Sequence, residues 1–596
     1  MSNTKEGAEA SPIEAKTQPD EAYYSLDPAD LYYVGVNVPC QNACPALTNV
    51  PAYIRCLFEG RNERSYDINR IANLFPGVLG RICSRPCETK CRHGEPELGK
   101  PVGICHIKRS AADFRDPGPP AVTALGPSVG KSVCVIGAGP AGLAAAYDLR
   151  LAGFEVTILE ALPEPGGMLR YGIPEFRLPR HILAGEIQWV VDHGVALRTG
   201  VRVGRDVALD ELLNTFDAVL VAAGCYVSKP LDVPGEKLPG VYTGLRFVMD
   251  IATGAAPVLG KNVLVIGAGF TAFDCARLAL RCGATNVSLC LRATEHDLRV
   301  TEEEVFETKR EGVKILGLMA SNRMIGANRL EAVEFLRTKP LELLPNGKRR
   351  VAPIPGSEFT VPCDAAIVAI GQGAEPLRSP GDTDPRGVLR VDAQTFRSSI
   401  PRLYAAGDYA TGPTTVIEAI ASGRKAAQRI AEDLGCNQTK QWAVKIQASP
   451  ITDRQRSWDY IPRMEMPTLM PVQARLTSPQ AEVEQGLSVD ASLEESKRCY
   501  LCYLHYEIDI SRCIYCRYCL DVAPRDCIKL VKSLVLNEAG AVVGYEETKI
   551  WRDVNAVVID NSRCIRCGEC VRVCPVDCIS VSKVELVQRT LPCGRN

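Results

Sequence analysis

The 596-residue chain lacks the features of a secreted, membrane-spanning or nucleic-acid-binding protein. No apolar run approaches the length of a membrane span, and the polar residues 1–5 give no sign of a signal peptide. Lys and Arg (69) balance Asp and Glu (70), so a net charge of −1 provides no excess of positive charge for nucleic acid or anionic lipid. We therefore expect a cytoplasmic protein that binds neither.

Side-chain catalytic sets are also missing. There is no Ser–His–Asp set and no redox-active Cys-x4-Cys motif, so no side chain is assigned as a catalytic acid or base. Cysteine, in contrast, is abundant: 26 residues in a chain without an export signal favour metal ligation over disulfides. The length predicts three to five domains.

Two cysteine runs near the end of the chain have the spacing of iron–sulfur ligands. Both read C-x2-C-x2-C, and the second continues as x3-C-P; their cysteines are Cys513, Cys516, Cys519, Cys564, Cys567, Cys570 and Cys574. Three thiolates at this spacing bind one cubane cluster, and the proline-flanked fourth cysteine binds the cluster of the other run. The pattern predicts a ferredoxin-like domain with two clusters; zinc, which prefers two separated C-x2-C pairs, is the alternative.

One ligand of this block departs from the two-cluster pattern. Cys574 completes the cluster of the first run, but the position that should complete the cluster of the second run is Ala523. Cys527, four residues later, is the nearest substitute, and a three-iron cluster at the second site is the competing interpretation. Cys578 corresponds to Cys527 in the second half of the block, and we assign it no ligand position.

A second group of cysteines lies near the start of the chain, in C-x3-C-P and C-x3-C-x3-C spacings unlike those of zinc sites. Its members are Cys40, Cys44, Cys83, Cys87, Cys91 and Cys105. The arrangement resembles the N-terminal domain of glutamate synthase small subunits and of dihydropyrimidine dehydrogenases, a helical domain with two clusters. The resemblance covers about residues 35–430.

The leading C-x2-C of that family pattern is absent here, which leaves only Cys40 and Cys91 for one of the two clusters. A close match to the missing piece stands far downstream, as E-E-S-K-R-C-x2-C at residues 494–502. The resemblance implies that Cys499 and Cys502 fold back and complete this cluster. Free thiols or a separate metal clip remain the alternatives.

The other cluster of the helical domain is expected to use Cys44, Cys83 and Cys87. Relatives take the fourth ligand from a Gln or Glu on a following helix, and that position aligns here near Lys108, a poor ligand. Cys105 lies three residues earlier on the same helical face. We therefore expect Cys105 to be the replacement.

A strand–turn–helix unit that can bind a dinucleotide follows. An apolar strand runs into a turn formed by Gly137, Gly139, Pro140 and Gly142, and then into a helix. The glycines permit the tight turn and let backbone N–H groups approach a pyrophosphate at the helix N-terminus. The next strand ends in Glu160, which is placed to bind ribose hydroxyls.

Two further motifs imply that the dinucleotide of this unit is FAD. The loop with Gly167 and Met168 looks like the isoalloxazine-facing loop of the same family. Gly407 and Asp408, which lead into a helix at residues 414–427, resemble the Gly-Asp pair that holds the ribityl chain and pyrophosphate in flavin disulfide-reductase-like proteins.

The same unit recurs downstream, with the turn residues Gly267, Gly269, Thr271 and Ala272. Its second strand is followed by Arg292 instead of an acid, and Arg299 stands seven residues further on, at the spacing found in dihydropyrimidine dehydrogenases. An acid would repel a 2′-phosphate, whereas arginine binds it. The sequence favours NADPH over NADH; two solvated surface arginines are the alternative.

Together these motifs predict a multidomain α/β protein with a helical N-terminal iron–sulfur domain, two Rossmann-like domains and a C-terminal ferredoxin-like α+β domain. The expected divisions are a tail (1–30), a helical cluster domain (31–125), an FAD domain in two pieces (126–235 and 391–435), an inserted NADPH domain (236–390), a linker (436–490) and a ferredoxin-like domain (491–596).

NADPH delivers a hydride, clusters pass single electrons, and a flavin converts one into the other. We therefore expect an electron-transfer subunit with FAD, NADPH and four [4Fe-4S] clusters, within a hetero-oligomer. Its partner would be ferredoxin or a larger oxidoreductase subunit, such as a 2-oxoacid:ferredoxin oxidoreductase. The alternatives are a glutamate synthase small subunit, against which the ferredoxin block argues, and a scaffold with vestigial redox motifs.

Overall fold

The computed structural model describes residues 31–95, 99–118, 120–344, 347, 349–377, 382–436, 440–536 and 542–590. The chain divides into two compact units. The large unit contains residues 40–442 and 457–500, and the small unit contains residues 31–39, 443–456 and 501–587. Within the described residues, no helix combines the length and hydropathy needed to cross a bilayer.

The secondary-structure elements follow the chain in this order. The helices are α1 (Leu31–Asn37), α2 (Pro39–Asn42), α3 (Val50–Phe58), α4 (Asn62–Asn73), α5 (Pro76–Ile82), α6 (Pro86–Thr89), α7 (Ile104–Asp113), α8 (Pro140–Leu151), α9 (Met168–Tyr171), α10 (Arg180–Val191), α11 (Leu209–Thr215), α12 (Gly244–Ala252), α13 (Phe270–Arg281), α14 (Glu302–Arg310), α15 (Asp408–Thr411), α16 (Val416–Asp433), α17 (Val472–Thr477), α18 (Val489–Lys497), α19 (Tyr518–Val522) and α20 (Glu569–Arg572). The strands are β1 (Ser132–Ile136), β2 (Glu155–Glu160), β3 (Ala196–Thr199), β4 (Ala218–Val221), β5 (Val227–Ser228), β6 (Val241–Thr243), β7 (Asn262–Ile266), β8 (Asn286–Cys290), β9 (Lys314–Leu316), β10 (Met319–Ile325), β11 (Ala332–Leu343), β12 (Arg349–Pro362), β13 (Ala365–Val368), β14 (Gln372–Gly373), β15 (Leu403–Ala405), β16 (Lys440–Ala448), β17 (Leu504–Ile508), β18 (Ile528–Leu536), β19 (Val542–Glu547), β20 (Ala556–Ile559) and β21 (Ile579–Thr590).

The first nucleotide unit is a parallel five-stranded sheet in the order β15-β4-β1-β2-β3. Its central strand β1 is apolar and buried on both faces, as expected for a parallel strand covered by helices. Strand β15, which comes after the second nucleotide unit in the chain, pairs with β4. Two separate stretches of sequence therefore build one sheet.

The second nucleotide unit is another parallel five-stranded sheet, in the order β6-β13-β7-β8-β9. An antiparallel sheet of β10, β11 and β12 follows β9 in the chain before β13 returns to the parallel sheet. Each parallel sheet has a glycine turn after its central strand, β1 or β7, so the expected pair of Rossmann-like folds is confirmed.

A buried carboxylate joins the N-terminal helices to the first nucleotide unit. Glu186 on α10 accepts hydrogen bonds from the backbone N–H groups of Gly77 (2.8 Å) and Val78 (3.0 Å) at the start of α5, and from the Tyr66 hydroxyl (3.3 Å). Burial raises the pKa of Glu186 to about 7 despite these donors. The helix that leads to Cys83 is thus anchored on the nucleotide fold.

Residues 457–500 return along the surface of the large unit. Arg475, fully buried on α17, donates to Glu307 of α14 at 2.5 Å. Further along, Glu482 pairs with Arg81 at 2.8 Å, and the Ser492 hydroxyl lies 2.8 Å from that of Ser110. We name this stretch the return segment; its contacts reach from the second nucleotide unit to the N-terminal helices.

The small unit is built from two similar halves. Ile508 on β17 pairs with Ile579 on β21, and Ile559 on β20 pairs with Ile528 on β18. The two halves are offset by 51 residues, because Ile559 stands to Ile508 as Ile579 stands to Ile528. Each half places one C-x2-C-x2-C run directly after its first strand.

Local differences from the sequence expectation are small. The sequence of residues 51–70 predicts a helical stretch, and the structure has two helices there, α3 and α4, separated at Gly60, whose positive φ of 72° suits glycine. Helix α16 begins two residues later than expected and extends to Asp433. The sequence also predicts a turn at Gly540, which lies outside the described residues.

Candidate cofactor and cluster sites

A cavity of about 930 Å³ lies between the two nucleotide folds of the large unit. Of the residues assigned from sequence, its lining includes Gly137, Gly139, Pro140, Glu160, Gly167, Met168, Thr271 and Asp408. One space therefore meets both glycine-turn units and the Gly-Asp motif. The volume lies within the range for pockets that hold cofactor-sized ligands.

The glycines keep the floor of this cavity open. A Cβ on Gly167 would lie 2.9 Å from Cα of Gly139, so the two loops can approach only because both lack side chains. A Cβ on Gly142 would meet the carbonyl oxygen of Gly137 at 2.0 Å, which is why the turn closes so tightly. The cavity floor fits a dinucleotide pyrophosphate seated at the N-terminus of α8.

Two carboxylates shape the flavin side. Glu160 is buried and accepts from the N–H groups of Ala138 (2.7 Å) and Leu162 (2.8 Å), and burial raises its pKa. Asp408 accepts from the N–H (2.9 Å) and hydroxyl (2.8 Å) of Thr414, just before α16, and burial raises its pKa too. The helix N-terminus itself lines the cavity, so its positive dipole end faces the flavin space.

The second glycine unit opens on the other side of the cavity. Thr271 lines it, Ala272 is buried beneath, and a Cβ on Gly269 would meet nothing within 4 Å, so the approach to the turn is clear. Gly267 has the same role in this turn as Gly137 in the first, because a Cβ on either residue would clash with a backbone carbonyl oxygen.

Arg292 and Arg299 lie beyond β8 at the edge of the second fold. Both side chains are exposed, and the Arg292 carbonyl is held by the Thr338 hydroxyl at 2.6 Å. They do not line the cavity itself. Their assignment to a 2′-phosphate stays a prediction, in accord with the exposed position that an adenosine end requires.

An ion pair that the sequence did not reveal crosses the cavity wall. Arg177, from the loop after α9, donates to Asp274 of α13 at 2.8 Å and lies 3.2 Å from Glu304 of α14. Arg177 and Asp274 both line the cavity. Burial raises the pKa of Asp274, and the positive charge of Arg177 offsets part of this rise. The pair fixes the flavin-side loop against the nicotinamide-side helix.

Tyr226 is a second residue that sequence reasoning missed. It lines the cavity, its hydroxyl would lie 3.5 Å from a Cβ on Gly167, and burial raises its pKa. A sequence signal exists in this case, because Tyr226 comes shortly after β4 and ligands bind at the carboxyl ends of parallel strands. For Arg177 and Asp274 no local pattern gives a signal.

Four cysteines of the N-terminal helices lie close enough to buried Lys108 to raise its pKa. Cys105 shares hydrogen bonds with Cys83 and Cys87, and the hydrogen bond with Cys105 is the largest cause that raises the pKa of Cys83. Burial lowers the pKa of Lys108, but the thiolate charges of Cys105, Cys83, Cys44 and Cys87 raise it by more. We name these four cysteines the Cys83 set. Their grouping accords with the predicted cluster, including Cys105.

This set adjoins the flavin cavity. Ile82 and Ser84, the two neighbours of Cys83 in the chain, both line the 930 Å³ cavity. A smaller cavity beside it is lined by Cys83 together with Arg177. Cys83 is therefore flanked in the chain by two residues that line the cavity.

The two neighbours of Cys499 in the chain contact residues 93–101, which follow Cys91. The Arg498 guanidinium donates to the carbonyls of Lys100 (2.5 Å) and Pro101 (3.1 Å), and the Tyr500 ring lies 5.2 Å from that of His93. Cys499 thus lies against the N-terminal helices, as the fold-back prediction requires.

The sequence predicts one cluster on Cys40, Cys91, Cys499 and Cys502, which we name the Cys499 set, and this assignment stays a prediction. Cys40 is buried, and its thiolate charge, with those of Cys87 and Cys105, adds to the burial that raises the pKa of Tyr53. Cys502 belongs to the small unit, and its membership of the set rests on the sequence.

The small unit gathers two cysteine groups. In the second-run site, Cys527 hydrogen-bonds to Cys564, which is the largest cause that raises the pKa of Cys527, and the charges of Cys570 and Cys567 also raise it. Cys527 therefore lies with the cysteines of the second run, and its role as the fourth ligand in place of Ala523 stays a prediction. The second-run site consists of Cys527, Cys564, Cys567 and Cys570.

The first-run site consists of Cys513, Cys516, Cys519 and Cys574, which line one cavity. Burial, with the charges of Cys513, Cys516 and Cys574, raises the pKa of Cys519 to about 11. All four are half-buried, whereas the second-run cysteines are buried. The two sites therefore differ in access from solvent.

Arg566 is fully buried beside the second-run site. Its guanidinium donates to the carbonyls of Leu504 (3.1 Å), Cys502 (3.3 Å) and Cys564. Among the described residues no carboxylate pairs with it. Its charge is thus placed for the negative charge that thiolate-bound clusters bring.

Within the described residues, no three His, Cys, Asp or Glu side chains converge on one point as the ligands of a single metal ion do. The thiols of a cubane bind separate iron corners. For such a cluster the relevant observation is a group of four neighbouring thiols, and the first-run cysteines form such a group around one cavity.

Comparison with known families assigns all three regions. Residues 131–423 match the pyridine nucleotide-disulphide oxidoreductase family, residues 32–117 match the 4Fe-4S domain II of dihydropyrimidine dehydrogenase, and residues 512–578 match the 4Fe-4S dicluster domain. The predicted fold class and the presence of FAD-, NADP- and iron–sulfur-binding regions are thereby confirmed.

Similar proteins are subunits of oxidoreductases. The NADP(+)-dependent formate dehydrogenase subunit beta of Moorella thermoacetica is 37% identical over 510 residues, which cover 78% of this chain and 71% of that protein. The NADPH-Fe(3+) oxidoreductase subunit beta of Geobacter sulfurreducens is 34% identical over 510 residues, covering 78% and 75%. The glutamate synthase [NADPH] small chain of Azospirillum brasilense is 34% identical over 416 residues, covering 66% and 85%.

Proposed function

Because the chain belongs to the family of NADPH-dependent iron–sulfur flavoprotein subunits that includes the glutamate synthase small chains, we propose that it carries electrons between NADPH and a separate partner protein through FAD and four [4Fe-4S] clusters. The chain is an NADPH-dependent flavoprotein oxidoreductase. The number of clusters, their ligands and the partner are the proposed parts, and the cytoplasm, where thiols stay reduced, is the proposed location.

The shared cavity carries this proposal. It brings the glycine turn of the NADPH fold, through Thr271, and the flavin cradle, through Gly139 and Gly167, to one space, and the neighbours of Cys83 line the same space. FAD bound there can take a hydride on one side and release single electrons on the other. Arg177 and Asp274 hold the two sides in register.

The protein's own residues provide orientation. Glu160 and Asp408 are preset by backbone and hydroxyl donors, so both carboxylates are fixed before a dinucleotide binds. The N-terminus of α16 favours negative charge at the flavin end that it faces. We infer that Arg292 and Arg299 select NADPH through its 2′-phosphate.

We propose that electrons leave through the first-run site. Its cysteines are half-buried, and large apolar side chains are exposed around it, including Ile514 (59% exposed), Tyr518 (56%) and Trp551 (46%). Exposed apolar surface around a redox site suits a transient protein partner. Ferredoxin or a larger oxidoreductase subunit, such as a 2-oxoacid:ferredoxin oxidoreductase, would dock there in a hetero-oligomer.

Service as a glutamate synthase small subunit is the second candidate. The match to such a chain covers 66% of this protein, and the helical cluster region and both nucleotide folds suit it. The dicluster block at residues 512–578 is the feature that favours a partner served through a ferredoxin-like domain.

Rapid mixing with NADPH under anaerobic conditions tests the path. In the wild type we expect flavin bleaching followed by the EPR signals of reduced clusters. Cys83→Ala should leave flavin bleaching unchanged but slow cluster reduction by at least about tenfold. Cys282→Ala, which removes a half-buried thiol outside every set, is the matched control.

Two results would contradict the proposal. A purified wild type without FAD and acid-labile sulfide would remove its basis, including the choice over a vestigial scaffold. Cluster reduction at the wild-type rate in a folded Cys83→Ala variant with full FAD content would show that electrons bypass the Cys83 set. Reduction of added ferredoxin, compared with glutamine-dependent activity on adding an amidotransferase chain, separates the two partner candidates.

A further inference from the structure

A fifth thiol belongs to the first-run site. Sγ of Cys578 lies 3.5 Å from Sγ of Cys574, and the Cys578 backbone N–H donates to the same sulfur at 3.4 Å. The Cys578 thiol also hydrogen-bonds to Cys513. The cavity of the first-run site is lined by Cys578 as well as by the four cysteines already assigned to it. The sequence had given Cys578 no ligand position.

The similarity of the two halves of the small unit explains why the Cys578 thiol faces the first-run site. The fourth and fifth cysteine positions are Ala523 and Cys527 in the first half, and Cys574 and Cys578 in the second, at the same offset of 51 residues. In the first half, the fifth position reaches the opposite run, because Cys527 hydrogen-bonds to Cys564. By the same symmetry the fifth position of the second half should reach the first run.

Backbone geometry supports the equivalence. The residue before each fifth cysteine has a positive φ, 50° at Asp526 and 48° at Asp577. The carbonyl of each fifth cysteine accepts a hydrogen bond from the opposite half, from Asp560 to Cys527 (2.7 Å) and from Asp509 to Cys578 (2.8 Å). The two thiols are therefore presented in the same way.

We propose that Cys574 and Cys578 are interchangeable fourth ligands of the first-run cluster, either of which can bind its fourth iron corner. This rests on the proposed function in that it takes the first-run site to hold a cubane. In an exchange, the Cys578 thiol gives up its proton and binds iron, while the Cys574 thiolate leaves iron and takes a proton. No electron is gained or lost, and the cluster charge is unchanged.

The exchange of ligands would help a cluster at this solvent-accessible site to keep its iron. The first-run cysteines are half-buried, so an iron corner there is open to attack and loss, whereas Cys578 is only 4% exposed. A second thiol 3.5 Å from the fourth ligand can retain the iron when Cys574 is displaced. Among the described residues, Cys527 is the candidate at the corresponding corner of the buried second-run site.

Four full-length variants, purified anaerobically with their clusters, test the proposal. They are Cys574→Ala, Cys578→Ala, the double variant and Cys527→Ala. Each first-run single variant should keep the wild-type iron content and a four-iron EPR signal with altered line shape. The double variant and Cys527→Ala should each lose one iron atom per chain and show an oxidised three-iron signal. FAD content reports folding in every case.

A three-iron signal in Cys574→Ala equal to that of Cys527→Ala would overturn the proposal, and so would one in Cys578→Ala. If the double variant does not fold, the mirrored rescue decides. Ala523→Cys added to Cys527→Ala should restore the lost iron, and failure to restore it would mean that the two positions do not reach the same corner. Absence of iron and sulfide from the wild type would instead refute the proposed function.

Discussion

Removal of the buried charge of Arg566 should lower the reduction potential of the second-run cluster. Its guanidinium is fully buried, donates to three carbonyls and, among the described residues, pairs with no carboxylate. A cluster gains one negative charge on reduction, so a buried cation beside it stabilises the reduced form. Arg566→Gln removes the charge and keeps a donor, and Arg566→Lys keeps the charge with fewer donors.

The size of the shift follows from Coulomb's law. The interaction energy of two unit charges 4 Å apart is about 4 kcal/mol at an effective dielectric constant of about 20. Because the added electron is spread over the whole cluster, we take about half of this interaction energy, ~2 kcal/mol, as the stabilisation that Arg566 gives to the reduced form. At 59 mV per 1.36 kcal/mol for one electron, this corresponds to about 90 mV. We expect Arg566→Gln to lower the potential by about 90 mV and Arg566→Lys by less than about 30 mV.

An EPR-monitored redox titration measures this, with the second-run signal identified as the one that changes in Cys527→Ala. A potential within about 20 mV of wild type in Arg566→Gln would refute the electrostatic role. An equal drop in Arg566→Lys would attribute the effect to lost hydrogen bonds instead. FAD content should stay constant in both variants.

Three further predictions concern the large unit. The double variant Arg292→Ala/Arg299→Ala should lower kcat/KM for NADPH about 10- to 30-fold and leave that for NADH within about twofold, because only NADPH has the phosphate; equal losses would contradict the assignment. Glu186, whose pKa is raised to about 7, stabilises the fold in its protonated form, so stability is full below about pH 4.5 and falls by about 3 kcal/mol as the pH rises through 7. Thermal melts of Glu186→Gln should lack this slope, and a slope as steep as in wild type would disprove the role. Gly167→Ala should lower FAD content, measured by flavin absorbance per protein, because its Cβ has no room, whereas Gly185→Ala, with nothing within 4 Å, should not.

The sequence predicted the candidate sites best where the residues that bind a cofactor and the residues that form the local fold are neighbours in the chain. The glycine turns at Gly137 and Gly267 sit after the central strands β1 and β7, because a short apolar strand, a tight turn and a helix are encoded contiguously. The fold class followed from these units. Cys105 and Cys527 could be selected because an expected ligand was missing nearby, and the structure groups each with the cysteines named for it; their role as ligands stays a prediction.

Contacts between distant segments could not be predicted. Arg177 and Asp274 stand 97 residues apart, and nothing near either indicates the other. The position of Cys578 follows from the positive φ of Asp577, and an aspartate in the sequence is not enough to predict that backbone conformation. Arg566 looks like any variable residue inside a C-x2-C spacing, and its burial depends on how the two halves pack.

The return segment has a consequence for how the protein is made. Arg498 and Tyr500 contact His93, yet they are synthesised about 400 residues after it. At about 5–20 residues per second, the N-terminal helices emerge from the ribosome roughly 20–80 s before these contacts can form. The cluster proposed on Cys40, Cys91, Cys499 and Cys502 could therefore be completed only after most of the chain has been made. A chain that ends before residue 457 would keep all four cysteines of the Cys83 set but only two of the four proposed ligands of this other cluster.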